Sequence, residues 1–372
     1  MNNRERLHAI MNYEQPDRMP AVHFGYTPEV LQVWVEQGHL PKEILDYPDY
    51  SEEAEDIIGE KFGFDFGWNQ TSFYSTFLRP YFEPQLIEKR PDGFEVHRDV
   101  MGVYVLQKEG AGSIPAEVDH LLKDRETWEE HYLPRLQAAE ERFSQKALEK
   151  AIKKQEQGNP VGLHCGSLCG RIRDILGIVG LSYMTVDDED LLAEIFDTIG
   201  KLAVTACERS LATGFQFDYA HFWEDVCYKN GPLISPSMFR EFTGPYYKKI
   251  TDLLKAHNVN IVSVDCDGCI DSLIPVWLDN GVNTMFPIEV GTWNASIEPW
   301  RANYGKQLHG IGGMRKALFA QDYAAIDAEL KRLAPMAKEL GYIPCPDHRI
   351  PVDAKWENVQ YYAEKVKDIY KL

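Results

Sequence analysis

The segment VDCDGC, residues 264–269, sets Asp265 and Asp267 two positions apart at the end of an apolar run. If that run is a strand, the spacing turns both carboxylates to one face. His348, in the later segment CPDHR, adds an imidazole, and two carboxylates with one imidazole suit zinc or another divalent ion. The same residues also read as a turn at Asp267-Gly268, with Asp265 capping the next helix. Other reactive or aromatic side chains stand just after apolar runs in the same way: His23 and Tyr26, His164, then His221, Trp223, Glu224 and Asp225, then Glu289 and His309. Glu224, His221 and Asp265 have the chemistry for acid–base work; His23, Tyr26, His164, Trp223, Glu289 and His309 are candidates to line a substrate pocket. Any one of them alone could equally be a helix cap or a hydrogen-bonded core residue. As a set they require a scaffold that collects strand ends in one place.

The rest of the chain has the periodicity of such a scaffold. A helix is expected around Arg4 to Met11, then a strand in MPAVHFGY, then a helix opened by Thr27-Pro28 and closed at Gly38. Residues 84–108 differ in style, with QLIEKR and FEVHRD flanking Pro91-Asp92-Gly93, and predict antiparallel hairpins inserted between barrel elements. A long charged helix is expected from about Glu126 to Gln157, stopped by Gly158-Asn159-Pro160. From there strands (PVGLHCGS, FQFDYAHFW, VNIVSVD, VNTMFPIEV, QLHGIGG, YIPCPD) alternate with helices, the last starting near Lys355. Short apolar strands separated by helices predict parallel pairing through right-handed crossovers. About eight such units predict one closed (β/α)8 TIM barrel domain over residues 1–372, with an N-terminal helical extension. In that fold the C-terminal strand ends carry the chemistry, which is where the residues above fall.

Composition narrows the partners. A formal charge of −19 opposes phosphate backbones and anionic lipid, so nucleic acid and membrane partners are not expected. The opening MNNRERLHAIMNYEQPDRMP lacks an apolar signal core, and the cytoplasm is the expected location. The seven cysteines form an odd, scattered set and read as reduced thiols. HCGSLCG and VDCDGC do not read as zinc knuckles, because each pair runs from a strand into a helix. GSLCGR and HGIGGMR are glycine-rich turns that match neither GxGxxG nor the P-loop, with Arg171, Arg173 and Arg315 close by.

Several long blocks are together specific: RERLHAIMNYEQPDRMPA, GSLCGRIRDILGIVGLSYM, HFWEDVCYKNGPLISPSMFREFTGPYYKKI, VDCDGCIDSLIPVWLDNGVNTMFPIEV and GYIPCPDHRIPVDAKWENVQYY. Through them the chain resembles the uroporphyrinogen decarboxylase-like superfamily over nearly its full length. The true decarboxylases carry an arginine-rich segment near the N-terminus that holds the porphyrinogen's carboxylates; the matching stretch here, PAVHFGYTPEV, has no arginine. That departure turns the resemblance toward the corrinoid-dependent methyltransferases, which include methylcobalamin:coenzyme M methyltransferases and O-demethylases. In thiol-using members, a HxC motif and a later cysteine bind zinc. Aligned by shared residues, those positions fall on Asp265, Asp267 and His348, a harder ligand set better matched to an oxygen than to a sulfur.

The resemblance therefore implies transfer of a methyl group from a small methoxylated substrate, an aryl methyl ether above all, to a cobalamin (corrinoid) cofactor supplied by a partner carrier protein. It implies zinc at Asp265, Asp267 and His348, with Glu224 or His221 as proton donor and Trp223, Tyr26 and Phe24 as pocket walls. It is also compatible with a homodimer. The alternative is a decarboxylase acting on a porphyrinogen or a smaller acid, in which Asp265 or Asp267 protonates a carbanion and Arg171 or Arg173 holds the carboxylate. A third reading is a barrel that only binds a tetrapyrrole or corrinoid protein.

Overall fold

The computed structural model describes residues 1–108 and 115–372. Its strands, in chain order, are β1 (Val22–His23), β2 (Phe66–Gly67), β3 (Gln70–Thr71), β4 (Gln85–Lys89), β5 (Glu95–Arg98), β6 (Val103–Gln107), β7 (Ala116–His120), β8 (Gly162–His164), β9 (Tyr219–Trp223), β10 (Cys227–Tyr228), β11 (Gly231–Pro232), β12 (Val262–Asp265), β13 (Thr284–Ile288), β14 (His309–Met314) and β15 (Tyr342–Pro346). A parallel sheet runs in the order β15-β14-β13-β12-β9-β8-β3, and β2, just before β3 in the chain, pairs in parallel with β1. A parallel bridge between Tyr26 and Ile350, with hydrogen bonds from Thr27 N to Ile350 O (3.1 Å) and from Ile350 N to Gly25 O (3.0 Å), joins the first strand to the last. With β2 and β3 counted as one interrupted strand, eight parallel strands make a closed ring, as expected.

Why these segments become barrel strands is visible in their burial. All residues of β13, β14 and β15 are buried, as befits strands covered on one side by helices and on the other by the barrel interior. The interior is filled by rings: Trp68 stacks on Tyr219 (4.0 Å between centroids), and Phe286 meets Phe24 (4.5 Å) and His221 (5.7 Å). Tyr219 occupies the space where a Cβ on Gly162 would stand, 2.3 Å from its ring, so that position of β8 admits no side chain.

Two expectations about elements require correction, and one element was not anticipated. The helix expected from Glu126 to Gln157 is broken into a short turn at Arg125–Thr127, a wide turn at Trp128–Tyr132, tight turns at Leu133–Leu136 and Glu140–Arg142, and a helix only at Gln145–Glu156. Pro134 cannot donate within a continuing helix, and buried Trp128 and Tyr132 direct the chain by packing instead. The expected hairpins are real but extend further, into a four-stranded antiparallel sheet, β4-β5-β6-β7, that ends at His120. The strand over 66–71 lacks a continuous apolar run, since Asn69, Gln70 and Thr71 follow directly on Trp68, which left no periodic signal.

Candidate active site

The site lies at the C-terminal ends of β9, β12 and β13, where the parallel register sets Asp265 beside Trp223 on one side and Phe286 on the other. A cleft of about 300 Å³ opens there, lined by Arg173, Asp225, Asp267, Gly268, Glu289 and Thr292 among others. Asp265 lies among these acids and is 8% exposed. Burial, then the charges of Asp267 and Asp225, raise its carboxyl well above the usual range. No hydrogen-bond donor meets it among the described residues. Asp225 accepts from the Asp267 amide (3.1 Å) and pairs with Arg173 (3.5 Å), yet burial and Asp267 push it up to about 6. Its backbone sits in the left-handed region at φ 53°, a conformation that costs a non-glycine residue about 1 kcal/mol or more. Glu289 accepts from the Gly268 amide (2.9 Å) and from the Thr292 hydroxyl. His348 places Nε2 3.4 Å from Asp267 Oδ2 and packs edge-on against Phe24. Trp223 lies under the guanidinium of Arg171 at 4.5 Å.

The structure thus brings together Asp265, Asp267, His348, Glu289 and Trp223 from the sequence reading, with Arg173, expected there only as a carboxylate holder, and Asp225. Asp225 sits at the anticipated strand end without a role having been assigned to it. Its signal was its place directly after Trp223-Glu224.

Other expectations fail on geometry. Glu224 is fully buried and already engaged: it accepts from the backbone amides of Leu168 (2.9 Å), Cys169 (2.8 Å) and Gly170 (2.9 Å), from Ser167 (3.3 Å) and from the Tyr247 hydroxyl. It closes the N-terminus of the helix Gly170–Asp187 and is an anchor, not a free proton donor. His221 is buried inside the barrel against Ser263 Oγ (2.7 Å), and burial and His164 drive its pKa well below the usual range, so it is a neutral imidazole and not an imidazolium acid at neutral pH. His164, its register partner, is lowered to about 4 by burial and by Arg171 and stands neutral beside it. His23 accepts from Gly25 N (3.1 Å) and packs between Tyr26 and Phe64 as core, its pKa lowered to about 3 by burial first. Tyr26 is 2% exposed, packs with Trp34 and Phe62, and borders a small separate cavity with Pro28, Tyr47 and Glu55 instead of the acid-lined cleft. His309 opens β14 beside Tyr13, at the opposite end of the barrel from the site.

For zinc, among the described residues no group of three or more His, Cys, Asp or Glu side chains is arranged so that it could hold a metal ion. Asp267 and His348 face each other directly, while Asp265 is buried and raised well above the usual range beside the neighbouring acids. The residues present do not fit a preformed zinc site, and no step is routed through one. All seven cysteines are free. Among the described residues no helix is long and apolar enough to cross a membrane.

Residues 99–369 match the family described as uroporphyrinogen decarboxylase (URO-D). No curated protein sequence matches the chain. Among solved structures, a methyltransferase from Methanosarcina mazei is similar over 100% of both chains at a TM-score of 0.62 and 14% identity, a likeness of fold. A Listeria monocytogenes protein described as a vitamin-B12-independent methionine synthase is similar over 61% of this chain and 70% of its own, at a TM-score of 0.36 and 13% identity.

Proposed function

The chain belongs to the uroporphyrinogen decarboxylase family, and from that premise we propose that it is a methyltransferase that takes a methyl group from a small methoxylated substrate, with a corrinoid on a partner protein as acceptor. The observation that carries this reading is Asp265: a buried carboxyl that meets no hydrogen-bond donor among the described residues, raised well above the usual carboxylate range by burial and then by Asp267 and Asp225, at a strand end of the barrel mouth. The fold shared with the Methanosarcina methyltransferase supports the same direction.

The chemistry follows from the charges. A reduced corrinoid would supply the electron pair that forms the new bond to the methyl carbon. As the carbon–oxygen bond breaks, its electron pair stays on the departing oxygen, which needs a proton. Asp265, raised well above the usual carboxylate range, is the group that would supply that proton, and Asp225, at about 6, would return it from solvent. Arg173 limits the charge that accumulates when Asp225 ionises. Trp223, beside Asp265 on the neighbouring strand, and Phe24, packed against His348, are the aromatic side chains that would meet a ring held at the mouth.

The test is release of the free phenol from methoxylated aromatics in the presence of reduced cobalamin. Asp265→Asn should lower the rate by about 100-fold or more without unfolding the protein. The wild-type rate should fall toward alkaline pH, as the proton is lost. Arg173 beside the acid cluster favours one second reading, decarboxylation of a small carboxylic acid. Carbon dioxide release without any corrinoid would select it, and failure to liberate phenol from every methoxylated compound would remove the first.

A further inference from the structure

An apolar face lies on the same end of the barrel as the site. The helix Gly170–Asp187 begins beside the Glu224 anchor and carries Arg171 onto Trp223, then breaks at Gly177 (φ 67°, ψ 167°). The His120 ring from β7 fills that break: a Cβ on Gly177 would stand 2.3 Å from it. Beyond the break, Val179 (67% exposed), Tyr183 (67%) and Val186 (83%) face solvent. Their spacing of four and three residues puts them on one side of the helix. Leu181 and Met184 already pack inward on the other, so this outer face contributes nothing to the core. Residues 175–186 carry no Asp, Glu, Lys or Arg, in a chain that is 26% charged.

Between this half-helix and β7 runs a cleft of about 680 Å³. Val118, Leu122, Leu176 and Leu191 give it apolar walls; Glu117, Asp119, Asp124, Asp187 and Asp188 rim it. The single lysine of the rim, Lys123, is already paired with Asp119. The helix Glu189–Leu211 leads back to the start of β9, so the N-terminus that borders the cleft lies at the mouth end.

We infer that this cleft is a docking surface for a partner protein that presents an amphipathic helix with an apolar ridge and Lys or Arg flanks. Charge complementarity selects that occupant over a second copy of this chain, which would set the same five carboxylates against themselves. That the partner is the carrier of the methyl acceptor rests on the proposed function; the docking chemistry does not.

The probe is a fluorescent amphipathic peptide of leucine and lysine, roughly 18 residues long, with a leucine–glutamate counterpart as control. Fluorescence anisotropy is measured against the full chain and against a Val179→Asp, Val186→Asp double variant whose thermal midpoint is checked. The expected result is saturable binding of the lysine peptide only, weakened about tenfold or more in the double variant and by salt raised to about 0.5 M. Absence of binding, binding that ignores the substitutions, or equal binding of the glutamate peptide would each overturn the inference. So would a concentration-dependent dimer, seen by sedimentation, that the double variant abolishes, because the face would then belong to a second copy. Phenol release is measured on the same samples, so loss of the proposed activity with peptide binding intact counts against the proposed function alone.

Discussion

Asp225→Asn should stabilise the protein at neutral and alkaline pH and leave it nearly unchanged in acid. An ordinary aspartate titrates near 3.8, and burial with Asp267 holds Asp225 at about 6 in the folded chain. A carboxyl whose folded value is raised contributes stability that is fully present below 3.8 and is lost as pH rises through 6. At about 1.4 kcal/mol per pH unit, the interval from 3.8 to 6 amounts to about 3 kcal/mol against folding at pH 8. The side chain is 30% exposed, so solvent screening makes this an upper value. Asparagine removes the ionisation, keeps an oxygen to accept from the Asp267 amide, and tolerates the left-handed backbone better than most residues. Urea unfolding of wild type and variant at pH 4, 6 and 8 gives the comparison. The stability gain should grow to about 1–3 kcal/mol at pH 8 and vanish near pH 4. A gain independent of pH, or a loss at pH 8, would refute the electrostatic account of the cluster. The same variant should release phenol more slowly, since proton return to Asp265 then lacks its relay.

Glu224→Ala should cost about 3–5 kcal/mol in urea unfolding, because three buried amides lose their acceptor; unchanged stability with lost activity would instead make Glu224 catalytic. Gly170→Ala should abolish soluble folded protein or lower its thermal midpoint sharply, since the new Cβ would stand 1.8 Å from the Glu224 carbonyl oxygen, a backbone atom that cannot move aside cheaply. Arg349→Ala should destabilise by about 3 kcal/mol by leaving Glu55, 4% exposed, without its guanidinium partner; a stability change below about 0.5 kcal/mol in urea would show that water replaces it.

The barrel was legible because its later strands are uninterrupted apolar runs between helices, a pattern that few other architectures produce. The split strand over 66–71 was not, because its pairing is set by neighbours distant in sequence. Among site residues, strand-end logic pointed to Asp267 and His348, which face each other at 3.4 Å, and to Asp265 in the same acid cluster. What that logic could not supply is which way a side chain is already committed. Glu224 and Asp225 are adjacent at one strand end, yet the first is consumed by a helix N-terminus and the second opens into the cleft. His309 misled because it stands at the start of its strand and the apolar run continues past it.

The seam of the barrel has a consequence for the order in which the molecule is made. Tyr26 and Ile350, which bridge the first and last strands, are far apart in sequence. During synthesis the first strand emerges early and waits, one edge without a neighbour, until β15 and Ile350 have left the ribosome. Contacts this remote in sequence form late, since a long loop must close before they are rewarded. Until then the nascent chain is an open sheet with two bare edges, the state most exposed to pairing with another chain. A ring closed by contacts this remote is therefore not finished until Ile350 has been made, and its vulnerable interval belongs to its biosynthesis.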